Sequence, residues 1–347
     1  MILFHAVRII ILTTVAFLVA LFCAPLWERA LRRWKFGKQI RTSDDTPVFS
    51  ALHAKKKGIP TAGGVIIWGT TAGLALLFFI LQKTFDGAWD YFDFVNRAET
   101  YLPLASLLLA ACLGFLDDWW GVLQIGGAKG GGFKVRYKLI TYTLLATVGA
   151  WWFFVRLEWD TLWVPFLGYY DIGLWYIPVF MFILIASAFS ANETDGLDGL
   201  LGGVSLFAFL ALATVAFVLG RYDLAAFSGV MVGALLAFLW FNIYPARFIM
   251  GDTGSMSLGV TLGLIAMLTN TALLLPFFMI IPVVESLSVI VQVASKKLRG
   301  KKIFLSTPIH HHFEALGWPE SQITMRFWIV TAVSVAFGLV IFFLLRA

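Results

Sequence analysis

Seven acidic or amide side chains of the kind that hold a divalent cation lie at or near the ends of apolar segments in this 347-residue chain. They are Asp117, Asp118, Asn192, Asp195, Asp198, Asn242 and Asp252. The five carboxylates would repel one another in a shared site unless cations were present, and hard oxygen ligands together with water suit Mg²⁺. The set therefore predicts a magnesium-dependent site, although a cap or an interfacial anchor explains any one acid alone.

Two of the acidic segments combine these side chains with glycine. The sequence N-E-T-D-G-L-D-G-L (192–200) places polar groups at positions i, i+3 and i+6, which share a side if the segment begins a helix. Its glycines permit a close approach of the backbone to a ligand. The turn M-G-D-T-G-S (250–255) has a similar make-up. Either segment alone is also compatible with an acidic helix start that favours the helix dipole.

Basic side chains accompany the acids. Lys56 precedes G-I-P-T-A-G-G (58–64), and Lys138 follows a glycine-rich stretch (126–132) that contains Lys129. Cations close to acids and a metal indicate phosphate binding, but the spacing of a P-loop is absent. Anchoring on the cytoplasmic side is the favoured explanation for each lysine taken alone.

Further polar residues lie near the C-terminus. His310, His311 and His312 are consecutive, and three adjacent histidines do not readily face one metal from a helix. Hydrogen bonding to phosphate or sugar is therefore favoured over zinc. Glu285, Ser288 and Gln292 form one polar stripe on an apolar helix. Interhelical hydrogen bonding and a place in a substrate groove are both open for the stripe.

The composition indicates that membrane-spanning segments position these side chains. Apolar residues make up 60% of the chain and charged residues 13%, with a mean hydropathy of +0.86. Soluble domains average about 45–50% apolar and about 25% charged, so a soluble globular enzyme is excluded. Hydropathy predicts an all-α, single polytopic membrane domain over 1–347, and 156–173 is compatible with a small external hairpin. The ten expected spans are 5–26, 62–82, 101–119, 137–155, 173–191, 200–219, 223–241, 254–270, 272–295 and 324–345.

Lysine and arginine are divided unequally between the alternate connections. Of the 26 residues, 20 fall in 27–60, 120–138, 192–199, 242–253 and 296–326. Because cytoplasmic connections carry the excess of Lys and Arg, we expect these connections in the cytoplasm and both termini outside. Every candidate site residue then lies on the cytoplasmic face. The same rule explains the net charge of +6 without nucleic-acid binding.

The motifs together resemble one known family. They are K-x-G-I-P-T-A-G-G, the pair Asp117–Asp118, N-x-x-D-G-L-D-G-L, F-N-x-x-P-A at Asn242, M-G-D-T-G-S and P-I-H-H-H-F-E, spread from residue 56 to residue 314. In these segments the chain resembles the polyprenyl-phosphate N-acetylhexosamine-1-phosphate transferases. The histidine run makes it most similar to the branch that uses UDP-MurNAc-pentapeptide.

The resemblance implies a ten-helix, usually homodimeric enzyme of the bacterial inner (cytoplasmic) membrane that requires Mg²⁺. It would transfer phospho-MurNAc-pentapeptide from UDP-MurNAc-pentapeptide to undecaprenyl phosphate, giving lipid I and UMP in peptidoglycan synthesis. Asp117 and Asp118 would act at the lipid phosphate, with Asp117 as the base. Asp252 would be the catalytic metal ligand, together with Asp195 and Asn192. The residues implied in nucleotide-sugar binding are Lys56, Lys138, Asn192, Asp195, Asp198, Asn242, His310, His311 and His312.

The chain departs from the family pattern at several positions: Ile59 and Ala62 replace Thr and Met, Gly121 replaces Lys, Glu193 replaces an apolar residue, and Phe248-Ile249 replaces Val-Phe. The last departure concerns an aromatic that, by resemblance, stacks on uracil. Either Ile249 occupies the stacking position without an aromatic ring, or the turn is shifted and Phe248 takes the role. The ten-residue spacing of Asn242 and Asp252 favours the first alternative.

Two other functions compete with this interpretation. A sister enzyme that uses UDP-GlcNAc would share most of the motifs, but the histidine run argues against it. An ion-coupled transporter would place its polar site near the bilayer midplane on broken helices. The acids of this chain lie at one edge of the expected spans, which disfavours a transporter.

The unequal Lys and Arg distribution yields a prediction about orientation. In a background of Cys23→Ser and Cys112→Ser, a membrane-impermeant thiol reagent added to intact cells should label Asp90→Cys and not Lys129→Cys. Lysed cells should show labelling of both variants, as a control for reactivity. Labelling of Lys129→Cys alone in intact cells would reverse the orientation.

Overall fold

The computed structural model describes residues 2–37, 56, 58–85, 87–126 and 131–346, and the Lys129 named above lies outside them. The described residues form an all-α bundle, as the hydropathy predicts, and the bundle contains twelve α-helices. They are α1 (Ile2–Arg33), α2 (Val65–Thr84), α3 (Ala98–Val122), α4 (Val135–Trp151), α5 (Tyr176–Thr194), α6 (Leu200–Val218), α7 (Tyr222–Asn242), α8 (Asp252–Leu268), α9 (Leu275–Phe278), α10 (Ile280–Arg299), α11 (Ile309–Ala315) and α12 (Glu320–Arg346).

Within the described residues, eight helices are long and apolar enough to cross a membrane. They are α1 to α7 and α12, with α4 extended by a π-helical turn to Arg156 and α5 preceded by a short turn from Gly173. The chain is therefore a multi-pass membrane protein. The expected ninth span is not one straight helix, because residues 272–278 and 280–299 meet at 89°.

The expected eighth span falls on α8, which has only 17 residues. At 1.5 Å per residue it is about 26 Å long, shorter than the roughly 30 Å hydrocarbon core of a bilayer. Every residue from Thr253 to Leu268 is buried. Helix α8 is therefore enclosed by other helices, and Asp252 at its start lies among their ends.

The hairpin expected between the fourth and fifth spans is present. Strands β1 (Thr161–Val164) and β2 (Gly168–Asp171) pair antiparallel, with Thr161 opposite Asp171. The Asn270 side chain joins the hairpin to the far end of α8, since its Oδ1 accepts the N–H of Trp163 at 2.9 Å. The hairpin therefore lies at the end of the bundle opposite Asp252.

Glycines let α2 and α3 approach the start of α8 very closely. A Cβ on Gly114 of α3 would lie 2.3 Å from the carbonyl oxygen of Asp252, and a Cβ on Gly64 would lie 2.3 Å from the Cα of Gly254. The Thr253 hydroxyl also donates to the carbonyl of Ala111 in α3 at 2.8 Å. These contacts bring the C-terminal end of α3, which carries Asp117 and Asp118, against the start of α8.

Candidate active site

A cavity of about 420 Å³ opens where these helix ends meet. Eleven of the twelve side chains singled out in the sequence line it: Lys56, Asp117, Asp118, Lys138, Asn192, Asp195, Asp198, Asn242, Asp252, His310 and His311. The twelfth, His312, does not. Its Nδ1 accepts the N–H of Leu305 at 3.2 Å, and its ring packs against Phe304.

Lys138 is the cation at the centre of the acidic side chains. Its Nζ lies 2.9 Å from Oδ2 of Asp117, 2.7 Å from Oδ1 of Asp252 and 3.4 Å from Oδ1 of Asn192. These oxygens come from α3, α8 and α5. Asn192 also donates to Asp252 and, at 2.9 Å, to the Ser255 hydroxyl. The structure thus converges oxygen ligands from three helices on one positive charge.

Asp118 faces the backbone of α8. Its Oδ1 accepts the N–H of Asp252 at 3.1 Å, and its Oδ2 accepts the N–H of Thr253 at 3.0 Å. The Thr61 hydroxyl adds a third donor at 3.3 Å. The first N–H groups of a helix have no partner within the helix, so Asp118 caps α8 from a neighbouring helix. This contact positions Asp252.

The turn before α8 needs glycine. Gly251 has a φ of +77°, which favours glycine, and a Cβ there would lie 2.5 Å from Oδ2 of Asp118. The Gly251 N–H donates to Oδ2 of Asp195 at 3.2 Å. Asp118 and Asp195 therefore hold this turn from two sides.

Asp117 contacts the C-terminal end of the glycine-rich stretch at Gly132 and Phe133. Its Oδ1 accepts the N–H of Phe133 at 2.5 Å, and a Cβ on Gly132 would lie 2.8 Å from that same oxygen. Its other oxygen faces Lys138. Asp117 is only 2% exposed, so its contacts in the protein orient the carboxylate.

A second group of contacts joins residues 195–199 to the end of α7. Asp198 Oδ2 accepts the N–H of Ala246 at 3.0 Å. Asn242 Oδ1 accepts the N–H of Gly199 at 3.0 Å, and its Nδ2 donates to the carbonyl of Phe248 at 2.9 Å. Both ends of the Asn242 amide are therefore used in joining two backbone turns at the cavity wall.

Lys56 contacts one of these turns and the start of α12. Its Nζ is 2.7 Å from Oδ1 of Asp198 and also contacts Oε1 of Glu320. Burial alone lowers the pKa of Lys56, but the adjacent Glu320 and Asp198 carboxylates outweigh that effect and raise the pKa above its ordinary value. Lys56 is therefore a permanent positive charge at the cavity.

The three histidines have different surroundings. His310 is 1% exposed, and its Nδ1 lies 3.0 Å from Oε2 of Glu285. A Cβ on Gly196 would lie 2.1 Å from Nε2 of His310, so a glycine is required beneath the ring. His311 contacts Glu314, with Nδ1 and Oε2 2.6 Å apart. Glycine at 196 is a requirement that the sequence pattern did not reveal.

Two of the three side chains in the polar stripe of α10, Glu285 and Gln292, contact other segments of the protein. Gln292 Oε1 accepts the N–H groups of Ile303 and Phe304 at 2.9 and 3.1 Å. Glu285 holds His310, and Ser288 donates to the carbonyl of Glu285 at 2.6 Å. Of the two alternatives left open by the sequence, interhelical contact is shown for Glu285, whereas none of the three side chains lines the cavity.

The turn that carries Phe248 and Ile249 is not shifted. Phe248 is fully buried between Phe238 and Phe241, whose ring centroids lie 5.7 and 5.9 Å away. Ile249 lines the cavity, and its N–H donates to the carbonyl of Pro60 at 2.8 Å. The side chain at the cavity wall is therefore Ile249.

Glu320 is a site residue that sequence reasoning missed. Its carboxylate contacts Lys56 and accepts the N–H of Asp198 at 2.5 Å. In the sequence it is a lone acid after a proline at the start of an apolar segment, which is typical of an ordinary helix start. Its partner Lys56 lies 264 residues away in the sequence, so the contact becomes visible only in the folded structure.

Comparisons with known proteins agree with the motifs. The profile of the family described as glycosyl transferase family 4 matches residues 100–270. A phospho-N-acetylmuramoyl-pentapeptide-transferase of Geobacillus thermodenitrificans is 38% identical, over 96% of this chain and 97% of its own length. A protein of the same name from Chloroflexus aurantiacus is 36% identical, over 96% of this chain and 89% of its own length. Another, from Caldanaerobacter subterraneus, is 37% identical, over 94% of this chain and 96% of its own length.

The cap on α8 predicts that Asp118→Asn destabilises the protein. The amide keeps one acceptor oxygen and turns its NH₂ group towards a backbone N–H, which should cost about 1–3 kcal/mol of stability. Thermal unfolding in detergent measures this loss, with Asp90→Asn at an exposed position as the matched control. A lost activity with an unchanged melting temperature would contradict the capping role.

The His310–Glu285 contact predicts a pH dependence. Burial lowers the pKa of His310, but the facing Glu285 carboxylate outweighs burial and raises the pKa above its ordinary value. The contact therefore stabilises the fold fully below pH about 6.5 and progressively less as the pH rises through the raised pKa.

Glu285→Gln should accordingly lower the melting temperature most at acidic pH, with a difference that shrinks towards alkaline pH. Ser288→Ala, one turn away on the same helix, should follow the pH dependence of the unmodified protein. A penalty that grows with pH in Glu285→Gln would contradict the assignment.

Proposed function

The chain belongs to the family of phospho-N-acetylmuramoyl-pentapeptide transferases, and from this we propose that it transfers phospho-MurNAc-pentapeptide from UDP-MurNAc-pentapeptide to undecaprenyl phosphate, releasing UMP and forming lipid I for peptidoglycan synthesis. The observation that carries the proposal is the convergence of eleven expected side chains on one cavity at an end of a membrane bundle. A lipid-borne phosphate and a water-soluble nucleotide-sugar can meet only at such an edge, because the polyprenyl tail stays in the hydrocarbon.

The cavity is proposed to face the cytoplasm of a bacterial inner membrane, with both termini outside. The excess of Lys and Arg in the connections at the cavity end supports this orientation. On family grounds we also propose a homodimer, which the mass of the purified protein in detergent would test.

Asp252, Asn192 and Asp195 bring carboxylate and amide oxygens to the start of α8, and hard oxygen ligands are the kind that magnesium takes. The described residues contain no group of three or more His, Cys, Asp or Glu side chains arranged to hold a metal. Mg²⁺ is usually bound through one or two carboxylates and the phosphates of the substrate, and not by an all-protein cage. Asp252, with Asn192 and Asp195, would hold the ion, which supplies neutralisation of the diphosphate and stabilises the leaving UMP.

The protein's own side chains supply alignment and charge. Phosphoryl transfer depends mainly on positioning and electrostatic stabilisation. Lys138, which contacts both Asp117 and Asp252, is placed to neutralise the reacting phosphates. Asp117 is proposed to accept a proton from the acceptor phosphate. Lys56 and His310, each held by an acid that lies outside the cavity lining, would bind the nucleotide-sugar.

The proposal is tested by the release of UMP. Purified protein receives undecaprenyl phosphate, Mg²⁺ and either UDP-MurNAc-pentapeptide or UDP-GlcNAc. We expect turnover of the first donor, and Asp252→Asn should reduce it at least about 100-fold, the scale of removing one electrostatic element. Asp90→Asn, at an exposed site, is the control. Preference for UDP-GlcNAc would favour the sister enzyme.

The position of Ile249 predicts weak binding of the uracil ring. By family resemblance this position carries an aromatic that stacks on the base, and stacking contributes about 1–3 kcal/mol, or about 5- to 150-fold in affinity. Ile249→Phe should therefore tighten the binding of UMP in a titration. Phe248→Leu, which alters the buried neighbour, should leave the dissociation constant unchanged. If neither variant changes it, this turn does not hold the base.

A further inference from the structure

The N-terminal turns of α12 present three polar side chains to the turn that carries Asp198. Glu320, Thr324 and Trp328 are spaced four residues apart and therefore share one face of the helix. The Thr324 hydroxyl donates to the carbonyl of Asp198 at 3.2 Å. The Trp328 Nε1 donates to the carbonyl of Gly199 at 3.2 Å. Together with the Glu320 contact, these bonds hold the 198–199 turn against α12.

Glu320 differs from the other two because it also holds a cavity cation. One of its oxygens, Oε1, accepts the N–H of Asp198 at 2.5 Å and contacts Nζ of Lys56. Asp198 Oδ1 in turn lies 2.7 Å from the same Nζ. The three residues thus form a closed ring of contacts, and their side chains are only 5–14% exposed.

Glu320 itself does not line the cavity, whereas Lys56 and Asp198 do. An effect of Glu320 on a ligand must therefore pass through the residues that it holds. Lysine has a long flexible stem with three rotatable donors, so its ammonium needs fixed acceptors to remain at one point of the wall. Asp198 and Glu320 supply two such acceptors.

We propose that Glu320 is a positioning residue for the nucleotide-diphosphate donor: it fixes the Lys56 ammonium and the Asp198 turn at the wall where the donor binds. The assignment rests on the proposed function for the identity of the donor. It separates the two substrates, because none of the three residues contacts Asp117, the residue assigned to the acceptor phosphate.

The test compares Glu320→Gln with Gln322→Ala, a control one half-turn away on the same helix. The amide can still accept the N–H of Asp198 but no longer holds the ammonium by charge. A hydrogen bond to a charged group corresponds to about 10-fold or more in an equilibrium constant. We expect the KM for the donor to rise about that much in Glu320→Gln, while the KM for undecaprenyl phosphate stays within about twofold.

A double-mutant cycle shows whether Glu320 acts through Lys56. In a Lys56→Ala background, Glu320→Gln should add no more than about twofold to the donor KM, because the group that it positions is gone. Trp328→Phe leaves the contacts among Lys56, Asp198 and Glu320 intact and removes only the hydrogen bond to Gly199. It should therefore lower the melting temperature and leave the donor KM within about twofold.

Three results would overturn the proposal: an unchanged donor KM in Glu320→Gln, an equal rise of both KM values together with a lower melting temperature, or failure of Glu320→Gln to fold when Trp328→Phe folds. Titration of UDP, the nucleotide-diphosphate probe, into the same variants provides a readout without turnover. If the unmodified protein does not use UDP-MurNAc-pentapeptide but loses UDP affinity in Glu320→Gln, the proposed function fails and the positioning role remains.

Discussion

The start of α8 is a buried helix end, and the rest of the site depends on how its backbone groups find partners. In a membrane bundle these N–H groups cannot rely on bulk water, so they must be satisfied within the protein. Asp118 supplies both of its oxygens from α3, and the glycines at 114 and 64 permit the approach. This contact fixes Asp252 beside Lys138, where oxygens of Asp117 and Asn192 from two other helices also meet the ammonium.

The cations of the cavity are each matched to carboxylates before any substrate is present. Lys138 contacts Asp117 and Asp252, Lys56 contacts Asp198 and Glu320, and His310 faces Glu285. A buried charge is tolerated when it is paired, so these pairs stabilise a polar cavity inside an apolar protein. Under the proposed function, substrate phosphates would meet cations that are already oriented.

Much of this arrangement could be predicted from residue types and spacing. Apolar runs located the helices, and eleven of twelve expected side chains line the cavity. The exceptions share a physical cause. His312 was grouped with its neighbours by sequence adjacency, yet its ring nitrogen supports a loop. The break at 272–280 and the roles of Glu320 and Gly196 depend on contacts between distant segments, which local patterns do not encode.

The enclosure of α8 has a consequence for the biogenesis of the protein. A 17-residue segment that begins with an aspartate and carries serine, threonine and glycine along its length is too short to match the bilayer without a mismatch penalty. The Thr253 hydroxyl donates to a carbonyl of α3 and the Ser257 hydroxyl to carbonyls of its own helix, and Gly259 and Gly263 are covered by α5. During synthesis, α8 emerges after α3 and α5 and can settle only against helices already inserted. We therefore expect its membrane integration to depend on the assembly of the bundle more than on the partitioning of a free segment into lipid.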